Sequence, residues 1–246
     1  MSEQNTTRIA MWSGPRNIST AMMRSFGSRD DTVVVDEPFY AYYLTQRDVD
    51  HPGTDEVIEH HETDPDRIIE RLTGPLPDGT SVFYQKHMAH HMIPELDRDW
   101  INEVTSCFLI REPREMLTSL IEHMPDPELK DTGLPQQLEL FRQVRDRTGK
   151  TPHVLRAQDV LENPREMLAT LCDRVGIPFD EDQLSWEPGL RETDGVWAKH
   201  WYDSVKGSTG FKSYTPKDEE VPDRHRDLLA ACNECYYTLY EQRMTA

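Results

Sequence analysis

Eight residues near the start of the chain, Ser13-Gly14-Pro15-Arg16-Asn17-Ile18-Ser19-Thr20, carry the chemistry of an anion site. They join a short apolar run at 8–12 to a helical pattern at 18–28. A helix N-terminus presents free backbone N–H groups and the positive end of a dipole. A tight loop ahead of it can wrap an anion. Ser19 and Thr20 add hydroxyl donors, and Arg16 adds a fixed cation. The ATP-binding consensus GxxxxGK[ST] is absent from this loop, and with it the lysine that reaches a γ-phosphate.

A second set lies mid-chain. Arg111 closes the apolar run 105–110, and Ser119 follows eight residues later on the helical pattern 113–123. The arginine fork suits phosphate oxygens, and the serine hydroxyl can complete the shell from the helix. The bland alternative is an Arg111 ion pair with Glu112 or Glu115 and a neutral mid-helix serine. Glu37 follows the run 32–36, while Lys86 and His87 close the run 81–87. Strand C-termini in an open α/β sheet face the ligand crevice. Glu37 and His87 therefore both stand where a general base could act, and Arg16 is the candidate for charge stabilisation. His87, His90 and His91 lack a nearby carboxylate pattern, so no metal is assigned. In Val205-Lys206-Gly207-Ser208-Thr209-Gly210-Phe211-Lys212, the glycines let backbone N–H groups approach a phosphate and the lysines add charge. A mobile surface loop is the alternative there.

These residues need a scaffold. Five short, often β-branched runs at 8–12, 32–36, 81–87, 105–110 and 153–156 read as strands. Helical patterns at 18–28, 113–123, 138–147, 164–175 and 223–243 separate or follow them. Alternating strands and helices predict an α/β fold: a three-layer, P-loop-like arrangement with a mainly parallel sheet of about five strands. Asn163 reads as an N-cap before Pro164, and Gly176 as a C-cap. Residues 46–80 read as an irregular surface insertion with one short helix at 65–72. Residues 184–220 read as a lid or pocket wall. There Trp197, His200 and Trp201, with residues 40–43, could line an acceptor pocket. One domain over 1–246 is expected.

The chain has 246 residues and a net charge of −18, which argues against general nucleic-acid binding. An anionic ligand is repelled by such a field, so its site must concentrate positive charge locally. There is no apolar leader and no run of membrane-spanning length, which places the chain in the cytoplasm as an expectation. Cys232 and Cys235 have CxxC spacing, but without a second pair they read as structural thiols on a helix.

Together the motifs resemble the PAPS-dependent sulfotransferases, a family with P-loop architecture. The likeness runs from about residue 8 to about 215, judged by eye. It implies that Arg16, Asn17, Ile18, Ser19 and Thr20 hold the 5′-phosphosulfate of PAPS. Arg111 and Ser119 would hold its 3′-phosphate, and Lys206 and Gly207 belong to a loop closing over it. Val205 stands where the family's loop commonly has arginine. Glu37, Arg16, Lys86 and His87 become the catalytic candidates. The adjacent Lys86-His87 departs from the Lys-x-His of cytosolic members. The implied reaction is sulfonation of a hydroxyl or amine on a small-molecule acceptor, without a metal. The 155–164 stretch and Gly176-Ile177-Pro178 also resemble the family's scaffold. A kinase-like phosphotransferase and a non-catalytic nucleotide-binding protein are the competing readings.

Overall fold

The computed structural model describes residues 6–49 and 51–246. Five strands form one sheet in the order β2-β3-β1-β4-β5: β1 (Thr7–Ser13), β2 (Thr32–Asp36), β3 (Val82–Met88), β4 (Thr105–Ile110) and β5 (His153–Arg156). Every neighbouring pair is parallel. Ile9, Ala10, Met11 and Trp12 of β1 are buried, as are Cys107 to Ile110 of β4. Neither run alternates in polarity, because helices cover both faces of a parallel sheet.

The helices are α1 (Ser19–Phe26), α2 (Tyr40–Gln46), α3 (Thr54–His60), α4 (Pro65–Thr73), α5 (Pro113–Ile121), α6 (Leu134–Thr148), α7 (Ala157–Glu162), α8 (Pro164–Val175), α9 (Ala198–Trp201), α10 (Asp203–Lys206) and α11 (Arg226–Tyr240). Among the described residues, no helix is long and apolar enough to cross a membrane. The chain leaves β1 for the sheet edge at β2, returns through β3, then crosses to β4 and β5. That reversal puts the topological switch point at the C-terminal end of β1, where ligands bind in open α/β sheets.

Several local expectations shift. The helix read at 138–147 begins at Leu134, with proline in its first turn. The Asn163 side chain makes no capping bond, so Pro164 alone marks the start of α8. Among its described residues, the 46–80 stretch holds two helices, α3 and α4, instead of one. Ile68 and Leu72 of α4 are buried, and the stretch is tied to the sheet by Gln85 Nε2 donating to Leu72 O and Arg8 Nη2 to Gly74 O. Cys232 is buried and Cys235 half-buried on α11, both as free thiols.

The segment that carries α9 and α10 is fastened from below. Arg24 of α1 makes a two-pronged ion pair with Asp194, at 2.6 and 2.5 Å, with side chains 1% and 3% exposed. Breaking a buried pair from one side leaves the other charge without compensation. Asp194→Ala is expected to cost about 3–5 kcal/mol of unfolding free energy, read from urea denaturation.

Candidate functional site

The loop after β1 is held by close backbone packing. A Cβ on Gly14 would lie 2.4 Å from the carbonyl oxygen of Thr132, so only glycine fits. Asn17 staples the loop: its Nδ2 donates to Leu109 O at 2.9 Å, and its Oδ1 accepts from Ile18 N at 2.8 Å. Arg16 sits at φ 54°, a left-handed conformation that costs a non-glycine residue about 1–2 kcal/mol. Beyond it, Ile18 flanks the start of α1 without a side-chain cap, and the first turn has no acidic residue. The contrast is α5, where the Glu112 carboxylate accepts from Glu115 N and fills the helix end. The N-terminus of α1 thus keeps N–H groups and a positive dipole end uncompensated by side chains.

Arg16, Arg111 and Ser119 meet beside this helix end. Arg111 Nη1 donates to the Arg16 carbonyl at 2.5 Å, and Arg16 Nε donates to Ser119 Oγ at 3.0 Å. Arg111 also lies 3.4 Å from Oε2 of the buried Glu115, the ion pair that the sequence offered as an alternative. Burial pulls the Arg16 pKa below its ordinary value, and Arg111 adds to the shift while Glu122 opposes it. Two guanidiniums in one partly buried place form a site that an anion would relieve. The α5 end is strapped by residues 214–219. Tyr214 Oη donates to Glu115 Oε1 at 2.5 Å, and Arg114 Nη1 donates to the carbonyls of Lys217 and Glu219.

On the other side of β1, the ends of β2 and β3 build a second cluster. Lys86, 1% exposed, donates to Asp36 Oδ1 at 2.8 Å, Glu37 Oε1 at 2.6 Å and Tyr202 Oη at 2.6 Å. Tyr202 in turn donates to Asp36 Oδ2 at 2.6 Å. Burial works against the ammonium, but Asp36 and Glu37 outweigh burial and hold the Lys86 pKa well above that of an ordinary lysine. Burial raises the Glu37 carboxyl, Lys86 opposes the rise, and Asp36 adds to it. Glu37 has φ 40°, the second left-handed non-glycine residue among the described residues.

The remaining candidates are placed as follows. His87 is 2% exposed and stacks on Trp12 at 4.4 Å, with Nε2 facing Gln85 Oε1. Burial, with Lys86 beside it, pushes its pKa down to about 3. His90 and His91 contact one another edge to face, and His91 stacks on Tyr40 at 4.8 Å. Among the described residues, no group of three or more His, Cys, Asp or Glu side chains is arranged to hold a metal ion. Trp201 bridges His123 and His51, and Trp197 lies edge-on to Tyr40. Lys206 and Gly207 are exposed at the end of α10, where the Lys206 carbonyl accepts from Gly189 N. Their neighbour is thus the 185–189 stretch, while the segment over the start of α5 is 214–219.

Nothing in the sequence singled out Asp36, Tyr202 or Tyr214, and Glu115 stood out only as an ion-pair partner of Arg111. Asp36 was visible only as the last residue of a strand run, and Tyr202 only as one aromatic among several. Tyr202→Phe removes the acceptor of one Lys86 N–H and of Trp197 Nε1, and leaves Asp36 Oδ2 with Gly195 N alone, in a dry site. A loss of about 1–3 kcal/mol in urea unfolding is expected, with an unchanged m-value.

A family model described as a sulfotransferase domain matches residues 7–244. Two curated relatives come from Arabidopsis thaliana. Branched-chain-amino-acid aminotransferase-like protein 2 is 32% identical over 231 residues, which is 94% of this chain and 41% of that protein. Branched-chain-amino-acid aminotransferase-like protein 1 is 34% identical over 222 residues, covering 90% and 39%. The chain therefore spans about two-fifths of the length of these relatives. Among solved structures, a sulfotransferase from Alicyclobacillus acidocaldarius aligns over 97% of both chains, with TM-score 0.55 and 11% identity, a likeness of fold.

Proposed function

The chain belongs to the sulfotransferase domain family, and from that premise we propose that it transfers a sulfonate group from PAPS to a hydroxyl or amine of a small-molecule acceptor. The observation that carries the reading is the meeting of Arg16, Arg111 and Ser119 beside the uncapped N-terminus of α1. Such a cluster answers the need for local positive charge on a chain of net charge −18.

When bound, PAPS supplies an activated sulfonate whose S–O bond to the 5′-phosphate breaks as the acceptor oxygen or nitrogen bonds to sulfur, so that PAP departs. The backbone N–H groups of Ser19 and Thr20, with their hydroxyls, face the 5′-phosphosulfate. Arg111 and Ser119 take the 3′-phosphate, and Arg111 exchanges its contact with Glu115 for it. Arg16 cannot give up a proton, so its work is to stabilise charge on the departing phosphate. Asn17 contributes by holding the loop to β4. Of the two candidate bases we take Glu37, because His87 is enclosed by Trp12 and Phe39. Lys86 acts through Glu37 by fixing its Oε1. The aromatic wall of Tyr40, Tyr43, Trp197 and Trp201 suits an acceptor with an apolar body. The aminotransferase-like name belongs to whole proteins much longer than this chain.

Calorimetric titration with PAP tests the donor assignment, with ATP–magnesium and AMP as controls. Selective PAP binding is expected, and Arg111→Ala should weaken it by about 1.5–3 kcal/mol. No PAP binding, or tight ATP–magnesium binding instead, overturns it. With PAPS and a competent acceptor, the rate should fall as pH drops through a midpoint above the usual carboxylate range, because the raised Glu37 carboxyl must be ionised to accept a proton. In Glu37→Gln that acidic limb should vanish along with most of the turnover, about 100-fold or more.

A further inference from the structure

Lys86 contacts two carboxylates but carries one charge, and the two carboxylates are not equally served. Asp36 receives Lys86 Nζ on Oδ1, and both Tyr202 Oη at 2.6 Å and Gly195 N at 3.3 Å on Oδ2. Glu37 receives Lys86 Nζ on Oε1, and its Oε2 has no hydrogen-bond partner among the described residues. Tyr202 has one proton and gives it to Asp36, so its oxygen accepts from Lys86 and from Trp197 Nε1 at 3.3 Å. This fixes the direction of every bond in the cluster. The donors converge on Asp36, which makes it the better-stabilised anion of the two.

We infer that Asp36 is a positioning residue for the transfer: it takes up the charge of Lys86, which leaves that ammonium to hold Glu37 in place without quenching its basicity. The inference rests on the reading of Glu37 as the base. The other groups around the cluster are consistent with it. Tyr40 from α2 faces Glu37 as a neutral phenol whose ionisation burial and Glu37 oppose. His61, just past α3, faces Asp36, and burial lowers its pKa. His87 and His91 feel Lys86 and are kept uncharged by burial. Lys86 is therefore the cation that the two carboxylates share, and Asp36 is the charge that keeps Glu37 a strong acceptor of protons. The left-handed backbone at Glu37 directly follows Asp36, so both carboxylates reach the same Nζ from neighbouring positions.

The test is a ¹³C NMR titration of protein labelled at the glutamate side-chain carboxyl, with Glu37→Gln assigning the resonance. The Glu37 midpoint is compared in the parent protein, Asp36→Asn and Lys86→Met. In Asp36→Asn the midpoint should fall by about one pH unit or more, because the whole Lys86 charge then belongs to Glu37. In Lys86→Met it should rise by a similar amount, because two carboxylates are left without their cation. General loosening of the site would instead lower the midpoint in both variants, toward the ordinary carboxylate value. A midpoint that is unchanged or raised in Asp36→Asn overturns the inference. If that variant does not fold, an unchanged or lowered midpoint in Lys86→Met overturns it. The readout needs no turnover: full turnover in Glu37→Gln would remove the base reading, while the titration would still report how the charge is shared.

Discussion

The Arg111 guanidinium, after β4, bonds the backbone carbonyl of Arg16, after β1, and so two cationic side chains share one partly buried place on which the arrangement of the candidate site depends. Like charges brought together in a partly buried place raise the energy of the empty protein unless something negative answers them. Glu115 answers Arg111 at the long distance of 3.4 Å, and Glu122 acts on Arg16 electrostatically from further off. The sheet order makes the closeness possible. β1 and β4 are neighbours, so the loop after one strand and the arginine after the other emerge side by side.

Among the described residues, the two left-handed non-glycine residues, Arg16 and Glu37, follow the ends of β1 and β2. Each is over-determined by its surroundings. At Arg16, the carbonyl meets Arg111 while the side chain reaches Ser119. At Glu37, the backbone N–H donates to Lys86 O and the carboxylate returns to Lys86 Nζ. Strain of this kind persists only where several contacts repay it, and it concentrates at working sites. β3 stands between the strands that carry the two residues, and its His87 stacks on Trp12 of β1.

The sheet was readable in the sequence because its strands are continuous apolar runs. The runs 32–36, 105–110 and 153–156 match their strands end for end, and 164–175 matches α8. α2 and α3 were not readable: both are single short helices of seven residues with little periodic contrast. α9 and α10 have four residues each, too few to show a helical period. Arg16 and Arg111 could be placed near one another from their strand-end positions, while Ser119 joined them through the family resemblance. The partners that complete each cluster could not be anticipated. Tyr202 bonds Asp36 across 166 residues of sequence, and Tyr214 bonds Glu115 across 99. No local pattern encodes such pairings. The closing segment shows the same limit, since glycine and lysine content drew attention to 206–212 while tertiary contacts put 214–219 over α5.

The central claim is that the uncapped end of α1 and the Arg16–Arg111–Ser119 group hold one nucleotide between them. The direct measurement is a crystal structure of the protein grown with PAP. The 5′-phosphate is expected at the backbone N–H groups of Ser19 and Thr20, and the 3′-phosphate on Arg111 and Ser119 with the Glu115 contact to Arg111 released. PAP bound elsewhere, or Arg111 still paired with Glu115 in the complex, would contradict it.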